Sequence, residues 1–211
     1  MQEPFEISVL RAQHVSALAQ LHLEAFPASE GSPLGYRYAF HFVDWFRQAA
    51  DTVAIVALAD GPIGYALGVP EAELARLYRR LVPVVLGCVL ARPWIVAHPD
   101  VRGMAIQRLR LMLSRSSQRR RPDDACMRLR TLGVRSDWRR RGVASALVDR
   151  LTHDAAQRGM GRLMASTRRT NGAAHAFYER RGWRRCDSGD DEFLDYSVAL
   201  VARASSTPRI E

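Results

Sequence analysis

Apolar positions recur along this chain with two periods, and the alternation between them outlines a mixed α/β domain. Residues 6–11, Glu-Ile-Ser-Val-Leu-Arg, alternate apolar and polar as a short strand. From His14 to Phe26, Val15, Leu18, Leu21 and Ala25 fall at helical spacing, and Pro27 ends the helix. A stretch rich in Ser, Gly and Pro (28–35) follows, and Tyr36 to Ala49 then reads as a second helix, heavy in aromatics. Thr52–Ala59 and Ile63–Val69 are β-branched and apolar runs joined by Asp60-Gly61, the signature of a hairpin. Gly64 and Gly68 inside the second run predict a bulge or a close backbone approach.

Residues 70–121 follow a different pattern. Ala72–Leu81, Val84–Leu90 and Met104–Ser114 are helical, Pro83, Pro93 and Pro99 interrupt them, and Arg119-Arg120-Arg121-Pro122 closes the stretch. The apolar run Leu81–Ala97 is shorter than a bilayer span and holds Arg92 and two prolines, which argues against a transmembrane helix. The segment reads as a helical insertion packed on the core, a lid over a cleft, or a surface that docks on acidic lipid or nucleic acid. Met127–Val134 is then a strand, Arg141 to Gln157 a helix ended by Gly159, and Arg162–Thr167 a strand. Asn171-Gly172 turns into a helix over Ala173–Arg181 that Gly182 stops. Two closing strands, Trp183–Ser188 and Phe193–Val201, flank an acidic turn, and 203–211 form a polar tail.

Composition narrows the class. The 211 residues are 47% hydrophobic, enough for one soluble domain (1–202) with a real core. A formal net charge of +9 makes polyanions the first partners to consider. All 31 basic residues are arginine, so the surface carries forked, permanently charged donors suited to phosphate. Cys88, Cys126 and Cys186 are odd in number and lack metal spacing, and read as reduced packing residues of an intracellular protein. No metal site is expected. The N-terminus shows no basic region followed by an apolar run, so no secretory signal is visible.

The stretch Leu132-Gly133-Val134-Arg135-Ser136-Asp137-Trp138-Arg139-Arg140-Arg141-Gly142-Val143-Ala144 carries the chemistry. A strand ends, the chain turns, and a helix opens behind three arginines and a glycine. A helix start leaves backbone N–H groups without partners and concentrates partial positive charge. Arginines there oppose the dipole and need an anion to justify them; a glycine lets a large anion approach the backbone. The stretch reads as a seat for a pyrophosphate.

Arg139-Arg140-Arg141-Gly142-Val143-Ala144 resembles the pyrophosphate loop of the GNAT superfamily of acyl-CoA N-acetyltransferases: Gln or Arg, two variable residues, Gly, any residue, then Gly or Ala. Downstream, Asn171-Gly172-Ala173-Ala174-His175-Ala176-Phe177-Tyr178-Glu179-Arg180-Arg181-Gly182-Trp183 resembles that family's second motif. A six-residue glycine loop alone is weak evidence, whereas two motifs in order on a strand-helix-strand-helix frame are strong. The resemblance covers 6–201 apart from the long insertion at 70–121. It implies an α/β (α+β) fold with a mixed, mostly antiparallel sheet flanked by helices, and acetyl-CoA as co-substrate.

The resemblance also implies roles. Arg139, Arg140, Arg141, Gly142, Val143 and Ala144 would hold the CoA pyrophosphate. Gly133 and Val134 would offer backbone groups to the pantetheine amide and thioester carbonyl, with the acyl arm lying between two parted strands. Asn171 would bond the pantetheine side, and Tyr178 would stand near the sulfur as general acid. A phenol begins protonated at neutral pH and suits that role. His175 is read as a helix-surface residue without a role.

The strand before the loop departs from the family pattern: Met127 to Val134 holds no carboxylate where many relatives carry a general base. The base could come from Glu24, Glu30, Asp190, Asp191, Glu192 or Asp195, or from water. Arg128 and Arg130 on that strand suggest an acceptor bearing a carboxylate or phosphate. The leading expectation is a cytoplasmic enzyme acetylating a primary amine of a small molecule by direct attack in a ternary complex. A longer acyl donor shielded by the insertion is the first alternative. A nucleic-acid or acidic-surface binding module is the second; with only Tyr78 and Trp94 as aromatics in the insertion, no nucleic-acid partner is expected. A homodimer is allowed.

Overall fold

The computed structural model of the chain describes residues 4–27, 32–97, 125–186 and 191–200. The expected helix over 104–114, the arginine run at 119–121, Glu30, Asp190 and the tail lie outside them. Among the described residues, seven strands form one sheet: β1 (Glu6–Val9), β2 (Val53–Ala59), β3 (Gly61–Pro70), β4 (Cys126–Val134), β5 (Arg162–Arg168), β6 (Arg184–Cys186) and β7 (Phe193–Ala199), in the order β1-β2-β3-β4-β5-β7-β6. Every pairing is antiparallel except β4 with β5. Helices α1 (Ala12–Ala25), α2 (Gly35–Gln48) and α3 (Leu74–Ala91) lie to one side, and α4 (Val143–Gln157) and α5 (Gly172–Arg180) to the other.

The two faces have separate apolar cores, as strand alternation requires. Leu18 and Leu21 of α1, Phe42 and Phe46 of α2, and Tyr65 and Leu67 of β3 pack together. Opposite them, Leu147 and Leu151 of α4 pack with Ile55, Ala66, Met127, Leu129 and Leu163. Gly64 and Gly68 permit that second contact. A side chain at Gly64 would stand 3.0 Å from the Gly133 carbonyl oxygen and 3.1 Å from Val143, and one at Gly68 would stand 2.9 Å from Leu151.

The expected break at Pro83 does not occur. Leu74–Ala91 is one helix with Pro83 inside it, because a single missing N–H costs less than the burial of Leu74, Leu77, Tyr78, Leu81 and Cys88 against the α1–α2 layer secures. This part of the insertion is packed on the core. No helix among the described residues is long and apolar enough to cross a membrane.

Between α1 and the sheet lies a buried polar pair. His22 Nδ1 and the Tyr65 hydroxyl are 2.6 Å apart, with the imidazole among Phe26, Phe42 and Tyr65. Burial first, and the charge of Arg130 second, lower the His22 pKa to about 4. Its unfolded value is about 6.5. Between these values the unfolded chain holds the extra proton, so stability is full above pH 6.5 and is lost as pH falls towards 4. Unfolding in urea at pH 7.5 and pH 5 is expected to differ by about 2 kcal/mol more for the wild type than for His22→Asn, whose carbonyl can still accept from Tyr65. Equal pH dependence of the two proteins would contradict the assignment.

Candidate active site

The site lies at the far end of β4. Antiparallel pairing with β3 continues to Val134, but pairing with β5 runs only from Cys126–Arg162 to Leu129–Ala165. Both strands go on, β4 to Val134 and β5 to Arg168, without a partner between them. A register shift between Leu67 and Gly68 coincides with this point: Leu67 faces Thr131, Gly68 faces Leu129, and Arg130 is the extra residue. Such a bulge bends the strand and turns its far half away. The gap between β4 and β5 therefore starts where the bulge sits.

Gly133, in the unpaired half, is a glycine for a reason on the opposite face. A Cβ there would meet the Tyr65 ring at 2.7 Å. The closeness of Tyr65, rather than room for an acyl arm, dictates this residue. Val134 pairs with Gly64, and its carbonyl accepts a bond from Arg139 Nε at 3.2 Å.

The chain then curls into the loop. Ser136–Trp138 make one turn of 3₁₀ helix, and Trp138 is buried beneath the Arg141 guanidinium, which stands 5.1 Å over its ring. Arg140 (φ 60°) and Gly142 (φ 82°) both adopt left-handed backbone. For arginine that conformation is uncommon, and the cost is typical of a loop shaped for a ligand. It curves the backbone into the concave form in which N–H groups gather round an anion. Gly142 is the N-cap of α4 and supplies no capping side chain, and a Cβ placed on it would meet nothing within 4 Å. Among the described residues, the helix thus opens onto free space with its first N–H groups uncapped by any side chain and three arginines alongside. These features fit a diphosphate.

The second motif sits on the same side of the sheet. Asn171 is the N-cap of α5, and its side-chain oxygen accepts from the Ala174 N–H at 3.1 Å. This cap uses the carbonyl and leaves the amide NH2 for another partner. Tyr178, two turns on, is 6% exposed; its ring stacks on Tyr196 (5.2 Å) and contacts Trp183 (5.0 Å). Burial pushes its pKa up to about 12. His175 is not the idle surface residue expected: its Nδ1 lies 3.0 Å from the Tyr196 hydroxyl and its Nε2 3.0 Å from the Arg169 carbonyl. A helix wheel could not show this, because the partners come from β7 and from the loop after β5.

The sequence reading also missed a polar group at the closed end of the gap, where the two strands begin to part. Arg128 Nη1 donates to Ser166 Oγ at 3.0 Å, and Ser166 Oγ donates to Asp195 Oδ1 at 2.5 Å. The same guanidinium lies 3.7 Å from Asp195 Oδ2 and 3.5 Å from Glu71 Oε1. The expectation that Arg128 awaits an anionic acceptor is corrected accordingly, since its charge already faces two carboxylates. Of the other suggested bases among the described residues, Glu24 and Asp191 are exposed, and Glu192 is exposed and paired with Arg168. Among the described residues no group of His, Cys, Asp and Glu could hold a metal ion.

The family model described as Acetyltransferase (GNAT) family matches residues 15–183. No curated protein sequence matches the chain. Among solved structures, the protein SsHAT superposes with a TM-score of 0.66 at 17% identity, covering 93% of this chain and 98% of its own. Aminoglycoside 6'-acetyltransferase type Ii gives 0.60 at 14% identity, covering 94% and 99%. The ribosomal-protein-S18-alanine N-acetyltransferase from Escherichia coli gives 0.52 at 16%, covering 96% and 98%. At such identities these likenesses concern the fold, and the family follows from the model match over most of the chain. The protein belongs to the GNAT family of acetyltransferases.

Proposed function

We propose that this GNAT domain, spanning 1–202, is a cytoplasmic enzyme that transfers the acetyl group of acetyl-CoA to a primary amine of a small-molecule acceptor. One observation carries the reading: β4 and β5 part beyond Leu129 and Ala165, and β4 leads straight into the uncapped, arginine-flanked start of α4. In this arrangement the N–H groups from Arg141 to Ala144, with the guanidinium groups of Arg139, Arg140 and Arg141, hold the diphosphate. Gly133 and Val134 offer main-chain groups to the pantetheine arm, and Asn171 uses its free NH2 on the same arm.

Acetyl-CoA supplies an activated acyl group as a thioester. The residues of this chain orient its carbonyl between the strands, donate to the oxyanion that develops there, and stabilise the departing thiolate. Tyr178 is suited to the last task. With a pKa of about 12 it is protonated at any physiological pH. An ordinary thiol has a pKa of about 8.5, so complete transfer of the phenolic proton to the thiolate is uphill. The hydroxyl therefore acts mainly by donating a hydrogen bond to the sulfur as charge builds.

Thiol release from acetyl-CoA, followed with a panel of amino sugars, polyamines, amino acids and aminoglycosides, tests the reading. Amine-dependent release by the wild-type protein is expected. Release that no amine accelerates, with acetyl-CoA bound, would contradict it.

A further inference from the structure

Exposed apolar side chains are concentrated on one helix. Among the described residues the large exposed ones are Val9, Tyr36, Val82, Leu86, Leu90 and Trp94, and Val82, Leu86 and Leu90 recur every fourth position on α3. Their shared face is the outer one, since Leu74, Leu77, Tyr78, Leu81 and Cys88 turn the other side of α3 into the core. Exposure rises along the stripe, from Val82 at 39% through Leu86 at 57% to Leu90 at 83%. Trp94, on the 3₁₀ segment Pro93–Ala97 that follows, is 70% exposed. Scattered single residues of this kind need no explanation, whereas a contiguous run of them marks a contact surface.

The charge around the stripe has one sign. From Leu74 to Pro99 the sequence holds Arg76, Arg79, Arg80 and Arg92 and no acid. Arg76 stands 3.4 Å from Glu73, just before the helix, and Arg92 donates to the Leu34 carbonyl at 2.8 Å. Arg79 reaches the Ala75 carbonyl of its own helix at 3.4 Å, and no carboxylate among the described residues pairs with Arg79 or Arg80. Arg37 of α2, also exposed, extends over Gly87, its guanidinium carbon 3.9 Å from where a Cβ would stand. Asp44, the one acid of α2, is bonded to Arg47 and Gln48. The outer face of α3 is thus an apolar stripe with an arginine border.

That charge selects the occupant. A second copy placed face to face would bring the same arginines together. Residues 98–124 of this chain carry seven arginines against three aspartates and would add to the excess. Nucleic acid suits the arginines but offers phosphates and sugars, which leave Leu86 and Leu90 in water. An anionic lipid layer matches both the border and the stripe. We propose that the outer face of α3, with Trp94, docks on an anionic lipid surface. Val82, Leu86 and Leu90 enter the boundary between headgroups and acyl chains, and the indole of Trp94 takes the interfacial position that aromatic rings favour. Arg37, Arg79 and Arg80 reach lipid phosphates. The contact is peripheral, since no helix among the described residues is long and apolar enough to cross a membrane. It stands whether or not the acetyl-CoA reading holds.

Co-sedimentation of the whole protein with sucrose-loaded vesicles provides the test. Phosphatidylcholine vesicles containing about 30% phosphatidylglycerol should bind about tenfold better than phosphatidylcholine alone. A chain of net charge +9 is drawn to such vesicles by any face, so the deciding variant keeps the charge. Leu86→Ser/Leu90→Ser is expected to lower the partition coefficient about tenfold, while Val9→Ser, on β1 and as exposed as Leu86, stays within about twofold. Vesicles should also shift tryptophan emission to the blue in the wild type and not in Trp94→Phe, because Trp45, Trp138 and Trp183 are already buried. Binding that the double variant retains within about twofold is charge attraction alone and overturns the proposal. A blue shift that persists in Trp94→Phe overturns it too. So does a wild type that binds no vesicles, a dimer in light scattering that the double variant dissolves, or a duplex oligonucleotide whose binding the double variant loses. Should the double variant not fold, Leu90→Ser alone carries the comparison: a loss of about threefold is expected, and no loss overturns the proposal.

Discussion

Replacing Gly142 by glutamate is expected to raise the Kd for coenzyme A on the order of 100-fold, the equivalent of about 3 kcal/mol. The side chain would project into the free space before α4 and set a negative charge against the diphosphate, where arginines and helix N–H groups now invite one. Gly142 has φ 82°, so any side chain also strains the backbone. Gly159→Glu provides the control. Gly159 has φ 74° just past the opposite end of α4, and its Cβ position is likewise empty, so this variant carries similar strain and the same charge away from the loop. Its affinity for coenzyme A should stay within twofold of wild type. Equal losses in the two variants would mean that charge or strain anywhere on α4 suffices, and the loop would lose its special standing.

Tyr178→Phe is expected to lower kcat about 100-fold with little change in the Kd for acetyl-CoA. The size follows from the acidity argument. Losing a hydrogen bond made chiefly in the transition state costs less than losing a well-matched acid, for which a larger fall would be expected. Phenylalanine keeps the stacking on Tyr196 and the contact with Trp183, so stability should scarcely move. Because the phenol does not titrate below pH 10, the variant should preserve the shape of the pH–rate profile up to that point. Unchanged turnover would remove Tyr178 from the chemistry and leave it a core aromatic.

Local pattern carried the reading of the frame well, because most of these elements announce themselves by period. The alternation in β1, the Asp60-Gly61 turn and the α1 stripe ended by Pro27 are properties of short stretches. The Arg139–Ala144 turn is equally local, since strand end, glycine and arginines are contiguous. What stayed hidden depends on residues distant in sequence. Arg128 meets Glu71 57 positions away, and Ser166 meets Asp195 29 positions away. No spacing rule reaches across a β3–β4–β5–β7 register. A sign was available in retrospect: Asp195, between Leu194 and Tyr196 in a strand, is a carboxylate at a position where burial needs a partner. Pro83 misled in the other direction, since a breaker rule that ignores tertiary burial divides a helix that packing holds together.

A crystal structure of the protein with acetyl-CoA bound tests the central claim most directly. The diphosphate oxygens should lie about 2.7–3.2 Å from main-chain nitrogens between Arg141 and Ala144, with the pantetheine arm between the unpaired halves of β4 and β5. A diphosphate held elsewhere, or an arm that leaves that gap empty, would contradict it.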